Sequence, residues 1–189
     1  MAFKPFPVFA ISIAVLGLLF IVLSGSDTKP SVPQYIQDER VDYGVAKEYW
    51  RSRIEQVGQV DAYGELLVAA KDISISQAHV LAHSFGEALF LEESISGIST
   101  CDDQLIWGCY HQFVGTALTE FGTSIVKDLD ERCPADSSFS CRHGIGHGLV
   151  GFYGYDFEAL KESLSFCTLL DAGPRNGCFD GVFMEYNLR

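Results

Sequence analysis

Cys141-Arg-His143-Gly-Ile-Gly-His147-Gly148 is the stretch whose reading decides the fold, because its frame recurs along the chain. His79-Val-Leu-Ala-His83-Ser-Phe-Gly-Glu87 repeats the spacing of the two histidines. Cys109-Tyr-His111-Gln-Phe-Val-Gly115 keeps the cysteine and one histidine, and Cys178-Phe-Asp180-Gly-Val-Phe-Met-Glu185 carries Asp in the histidine slot. Aligning His83, His111, His143 and Asp180 gives intervals of 28, 32 and 37 residues. Between the blocks lie helical stretches that end in cysteine, Ser124 to Cys133 and Phe157 to Cys167, each succeeded by a polar loop. A period of that length holding helix, loop and helix predicts an all-α fold of stacked helical hairpins.

The six cysteines fit the same plan. Cys101 and Cys109, Cys133 and Cys141, and Cys167 and Cys178 form close pairs, each with its first member near a helix end and its second near the next helix start. Sequential disulfides would staple every hairpin at its turn, each constraining the unfolded chain by about 2–3 kcal/mol. An even count in an exported chain suggests bridges before metal thiolates, and no Cys-x₂₋₄-Cys knuckle of a structural zinc site is present.

The amino terminus argues for export. Phe6 to Leu23 is an almost unbroken apolar run after Lys4, just long enough to cross roughly 30 Å of hydrocarbon. It reads as a transmembrane anchor in the lipid bilayer over residues 6–23. A cleaved signal peptide is the competing reading, and both export the rest of the chain. The expected organisation is residues 1–24 as anchor or signal, 25–38 as linker, and 39–189 as the exported helical repeat domain. The chain stops at Glu185-Tyr-Asn-Leu-Arg189, inside the fourth block, which reads as a C-terminal truncation of that domain.

Within the domain, Tyr43, Ala46, Trp50, Ile54 and Val57 recur at helical spacing. A second helix is expected over Asp61 to Ala70, and a third from a capping box at Ser74-Ile-Ser-Gln77 to about Leu91. Gly144, Gly146, Gly148, Gly151 and Gly154 crowd one segment and imply close backbone packing; a strand or loop over Gly146 to Tyr153 is the alternative. Tyr110, Phe113, Phe121, Phe152, Tyr153, Tyr155, Phe157 and Phe179 are expected to form the core between repeats.

The net charge of −12, from 13 basic and 25 acidic residues, excludes a nucleic-acid partner, since no basic stripe exists to displace phosphate counterions. Nearly half the residues are hydrophobic, which excludes a disordered chain. No nucleophile elbow, P-loop, dinucleotide fingerprint or His-Glu-x-x-His motif occurs.

All five histidines, His79, His83, His111, His143 and His147, fall in the repeated blocks. Histidines four apart project from one helix face about 6 Å apart, and two such helices facing each other hold several imidazoles around one or two ions. The expected function is binding of a transition metal, zinc or copper, through these five side chains. Glu87, Glu120, Asp180 and Glu185 are the supporting carboxylates, with Glu87 and Glu185 the acid–base candidates of any reaction. The alternative is a non-catalytic, disulfide-stabilised scaffold for a protein partner, in which each histidine is a packed hydrogen-bonding spacer.

Overall fold

The computed structural model describes residues 32–33, 36, 42–171, 173 and 175–188. The apolar run at 6–23, and with it the expected anchor, lies outside the described residues. Among those described, no helix is long and apolar enough to cross a membrane. All regular structure in the described residues is helical.

Local sequence sets the helix ends. Helix α1 (Tyr43–Val57) starts where the Asp42 carboxylate accepts from the Val45 amide at 3.1 Å, and it stops at Gly58. Helix α2 (Gln59–Ala69) comes directly after. Helix α3 (Ile75–Glu93) opens on the expected capping box: the Gln77 amide donates to the Ser74 hydroxyl, and the Gln77 side chain accepts from the Ser74 amide. Helices α4 (Gly108–Phe121), α5 (Val126–Arg132) and α6 (Ser138–Tyr153) come next. Asp156 caps α7 (Phe157–Leu169), and α8 (Arg175–Asn187) closes the described chain.

Five of these helices build the interior in series. Helix α1 packs on α3, α3 on α4, α4 on α6, and α6 on α8, while α2, α5 and α7 lie at the flanks. Small residues let the backbones touch. A methyl on Gly86 of α3 would overlap the Cys109 carbonyl of α4, and one on Gly146 of α6 would overlap the Cys178 carbonyl of α8. Gly86 and Gly146 each stand three residues after a histidine, so the α3/α4 and α6/α8 contacts use corresponding positions. The glycine-rich segment is therefore a continuous helix through Tyr153, and the strand or loop alternative over Gly146 to Tyr153 does not hold. Close packing offsets the roughly 1 kcal/mol that each interior glycine costs a helix.

Three disulfides close the loops in sequential order: Cys101–Cys109, Cys133–Cys141 and Cys167–Cys178. The core centres on Trp50, Phe85, Tyr110 and Phe113, all fully buried. Trp50 lies edge-on to Phe85 at 5.6 Å, and Tyr63 is tilted against it at 5.3 Å. Val32 and Ile36, within the expected linker, are buried in this core as well. Phe121, Phe152 and Phe157 are exposed instead of forming the expected core, Phe157 at 63%. Phe121 keeps an edge contact with Phe90 of α3, centroids 6.1 Å apart, and Phe152 borders an open cleft. One ion pair is deeply buried, Arg142 of α6 with Asp130 of α5.

Glycine contact predicts a contrast within one helix. Gly146→Ala should lose about 3 kcal/mol of stability through overpacking. Gly151→Ala, whose methyl would meet only the Tyr155 hydroxyl at 3.9 Å, should gain up to about 1 kcal/mol. Urea denaturation midpoints of the two variants check this, and equal midpoints would refute the packing account.

Candidate metal centre

The helix contacts that close the core also gather the histidines. A methyl on Gly108 would meet the His79 carbonyl and Ala82, so the start of α4 lies against α3 beside its histidines. Gly144 lies on Tyr110 in the same way and brings α6 to α4. Helix α3 thus supplies His79 and His83, α4 supplies His111, and α6 supplies His143 and His147. Asp180 and Glu185 come from α8.

All five imidazoles converge, with His111 at the hub. Its ring centroid lies 5.3 Å from His79, 5.4 Å from His83, 5.2 Å from His143 and 4.1 Å from His147, on which it stacks with an interplanar angle of 10°. His79, His83 and His111 each present one nitrogen within 4.8 Å of the others, the one such group of three among the described residues. His143 and His147 flank this trio, so the expected five-histidine ligand set divides into three and two.

Hydrogen bonds on the far side of the rings fix which nitrogen is bare. The Leu105 carbonyl, 2.9 Å from His79 Nδ1, can only accept, so Nδ1 carries the proton and Nε2 is left with its lone pair. That Nε2 lies 3.0 Å from Nε2 of His83. Two nitrogens bound to one tetrahedral zinc are about 3.3 Å apart, close to this separation. His143 Nδ1 is 2.9 Å from Asp180, which leaves its buried Nε2 bare. His147 Nε2 is 2.9 Å from Glu185 Oε2, and Tyr155 donates to Glu185 Oε1 at 2.5 Å. Backbone carbonyls and carboxylates holding the outer nitrogen of an imidazole are the usual support of metal-binding histidines.

His111 differs from the rest. It is 3% exposed, and neither ring nitrogen has a hydrogen-bond partner among the described residues. A neutral imidazole always has one donor and one acceptor to satisfy, and leaving each buried and unmet costs about 1–3 kcal/mol. A metal ion satisfies the acceptor nitrogen directly. Burial, and then the neighbouring His147 and His83, hold His111 far below the usual histidine range. Burial and then His79 push His83 down to about 3, and burial lowers His143 against the opposing pull of Asp180. These three imidazoles are therefore neutral at physiological pH, the protonation state in which imidazole binds metal.

A backbone feature stands beside the trio. Leu105, Ile106 and Trp107 all have left-handed φ, between 51° and 58°. This conformation costs a non-glycine residue roughly 1–2 kcal/mol. The turn is bracketed by the Cys101–Cys109 bridge, offers Leu105 O to His79, and lays the Trp107 ring 4.4 Å from His143. No residue in Leu-Ile-Trp signals such a turn, so sequence reasoning misses it.

An open cleft of about 350 Å³ reaches the centre, lined by His83, His111, His147, Tyr155 and Glu185 among others. Of the two acid–base candidates, Glu185 faces this cleft. Glu87 lies elsewhere, in an ion pair 3.1 Å from Lys47 of α1. Glu120 is exposed on α4, and Asp180 supports His143. Tyr155 packs against the core, as expected, at partial burial and also holds Glu185. Comparison with protein-family models, curated proteins and solved structures gives no match, so the geometry alone carries the functional reading.

The titration of His83 predicts a pH dependence. In chelator-treated protein, unfolded His83 takes up a proton near pH 6.5 but folded His83 only near 3, so the unfolded state binds more protons between those values. Stability is then full above pH 6.5 and falls as pH drops, with a slope approaching about 1.4 kcal/mol per pH unit for each such imidazole. Melting temperatures between pH 6.5 and 5, above most carboxylate titration, should show the decline; a flat profile would contradict it. Separately, Ile106→Asn should raise stability by about 1 kcal/mol, because Asn accepts the left-handed region and Ile106 is 44% exposed. Chemical denaturation measures that gain.

Proposed function

We propose that the chain is a membrane-anchored, extracytoplasmic domain of stacked, disulfide-stapled helical hairpins that binds one transition-metal ion, zinc or copper, through His79, His83 and His111. The observation that carries the reading is the trio of imidazole nitrogens within 4.8 Å, completed by a buried His111 whose ring nitrogens have no hydrogen-bond partner among the described residues. The anchor rests on the apolar run from Phe6 to Leu23. Export is supported by the pairing of all six cysteines, since disulfides persist in oxidising compartments.

The donor set fits the ion. Neutral imidazole suits zinc and copper, and each trio member lies on a rigid helix. His79 is further oriented by the Leu105 carbonyl. Three protein ligands leave a coordination position for water or substrate, as at catalytic zinc sites, whereas structural sites are closed by four.

The test is metal analysis of the oxidised full chain after incubation with zinc or copper and dialysis. About one ion per chain is expected, with loss of the ion in His83→Gln and retention in Glu87→Gln. Zinc at one hundred times its Kd should add about 2.7 kcal/mol to stability. A folded, oxidised protein that retains neither metal would overturn the reading and leave the histidines as packed spacers.

A further inference from the structure

The histidine trio accounts for an ion but not for a reaction, and its surroundings supply the rest. Two of its three members, His83 and His111, line the open cleft. An ion held by these residues would be within reach of a molecule in that space. The cleft volume of about 350 Å³ lies in the range of small-molecule sites. Against the same wall stands a hydrogen-bonded chain from Tyr155 to Glu185 to His147, whose ring stacks on His111 at 4.1 Å. A carboxylate that holds one imidazole nitrogen leaves the other as a proton acceptor.

The lining also discriminates between substrates. It contains no Lys or Arg, and Glu185 places a carboxylate beside the histidines. Beyond the ion itself, a phosphate ester would find no cationic side chain among the described lining residues to share its charge, and the chain carries a net charge of −12. Phe152 and Tyr155 offer aromatic surface, while Gln112 and Thr119 offer neutral polar groups. These features suit an uncharged substrate with a polarisable carbonyl.

Resting on the metal assignment, we propose that the cleft hydrolyses uncharged carboxylic esters or amides, with the His147–Glu185 pair as proton carrier. When bound by His79, His83 and His111, the ion would supply Lewis acidity. The water gives one proton to the His147–Glu185 pair, and its oxygen forms a bond to the acyl carbon. The bond from that carbon to the leaving oxygen or nitrogen then breaks, and the departing atom keeps the electron pair. The proton held by the pair passes to the leaving group. One water is consumed, a carboxylic acid and an alcohol or amine are released, and no oxidant or reductant is needed. Tyr155 acts as a positioning residue through its bond to Glu185.

The experiment uses the oxidised full chain in detergent, first assayed for zinc content and then for turnover. The probes are p-nitrophenyl acetate, an N-acetyl peptide p-nitroanilide and p-nitrophenyl phosphate. Zinc-dependent turnover of an acyl probe, faster than that of the phosphate, is expected. Glu185→Gln should keep its zinc and leave KM little changed, while kcat falls by about 10²–10⁴. Glu87→Gln should match the parent, since its carboxylate pairs with Lys47 away from the cleft. Bound zinc without acyl turnover, preference for the phosphate, or an unaffected Glu185→Gln would each overturn the hydrolytic proposal while leaving metal binding intact. Failure to bind zinc, seen at the first step, would overturn both.

Discussion

Backbone-to-backbone contact between helices is the constraint on which the remainder of this structure depends. Gly86 meets the Cys109 carbonyl, Gly146 meets the Cys178 carbonyl, and Gly144 lies on Tyr110. Each contact requires the absence of a side chain on one partner, and together they set the spacing of α3, α4, α6 and α8. At that spacing five imidazoles from three helices reach one another without any loop having to carry a ligand. Sites on helices hold their geometry better than sites on loops, and metal coordination tolerates little error. The glycines that weaken the helices as isolated segments are what make the cluster possible.

Two kinds of restraint act on top of this packing. The disulfides tie the starts of α4, α6 and α8 to the chain preceding each, Cys167 lying in the last turns of α7, and the Cys101–Cys109 bridge brackets the left-handed turn at Leu105 to Trp107. Long-range ion pairs then join α1 to its neighbours, with Arg53 of α1 on Glu65 of α2 and Arg51 on Glu92 of α3. Strained backbone beside a site persists only where the surroundings over-determine it. Here the bridge, the Trp107–His143 contact and the bond from His79 to Leu105 do so together.

Much of this is legible in the sequence because it is written locally. The Ser74–Gln77 capping box, the amphipathic run from Tyr43 to Val57 and the spacing of the cysteines each depend on residues a few positions apart. The histidine blocks are legible for the same reason. The features that escape depend on partners distant in the chain. Glu87 continues the histidine face of α3, but Lys47, forty residues earlier, takes its carboxylate. Leu105 holds the outer nitrogen of His79 in the trio, while Asp180 and Glu185 hold the flanking His143 and His147, and spacing does not encode those partners. Phe121, Phe152 and Phe157 are misplaced by sequence because aromatic character speaks for burial in general and says nothing about which faces find a neighbour.

The positions of the candidate ligands along the chain have a consequence of their own. His79, His83 and His111 belong to the α3–α4 segment, whereas His147, Tyr155 and Glu185 belong to α6, the turn after it, and α8. The proposed centre would thus divide into an ion-holding half and a proton-handling half that share no residue and meet where α6 packs on α4 and on the Leu105–Trp107 turn. The first half needs only short-range closure of the chain, which is entropically cheap and fast. It can assemble as the polypeptide emerges, before the second half has been made, and then presents the face of α4 on which α6 packs.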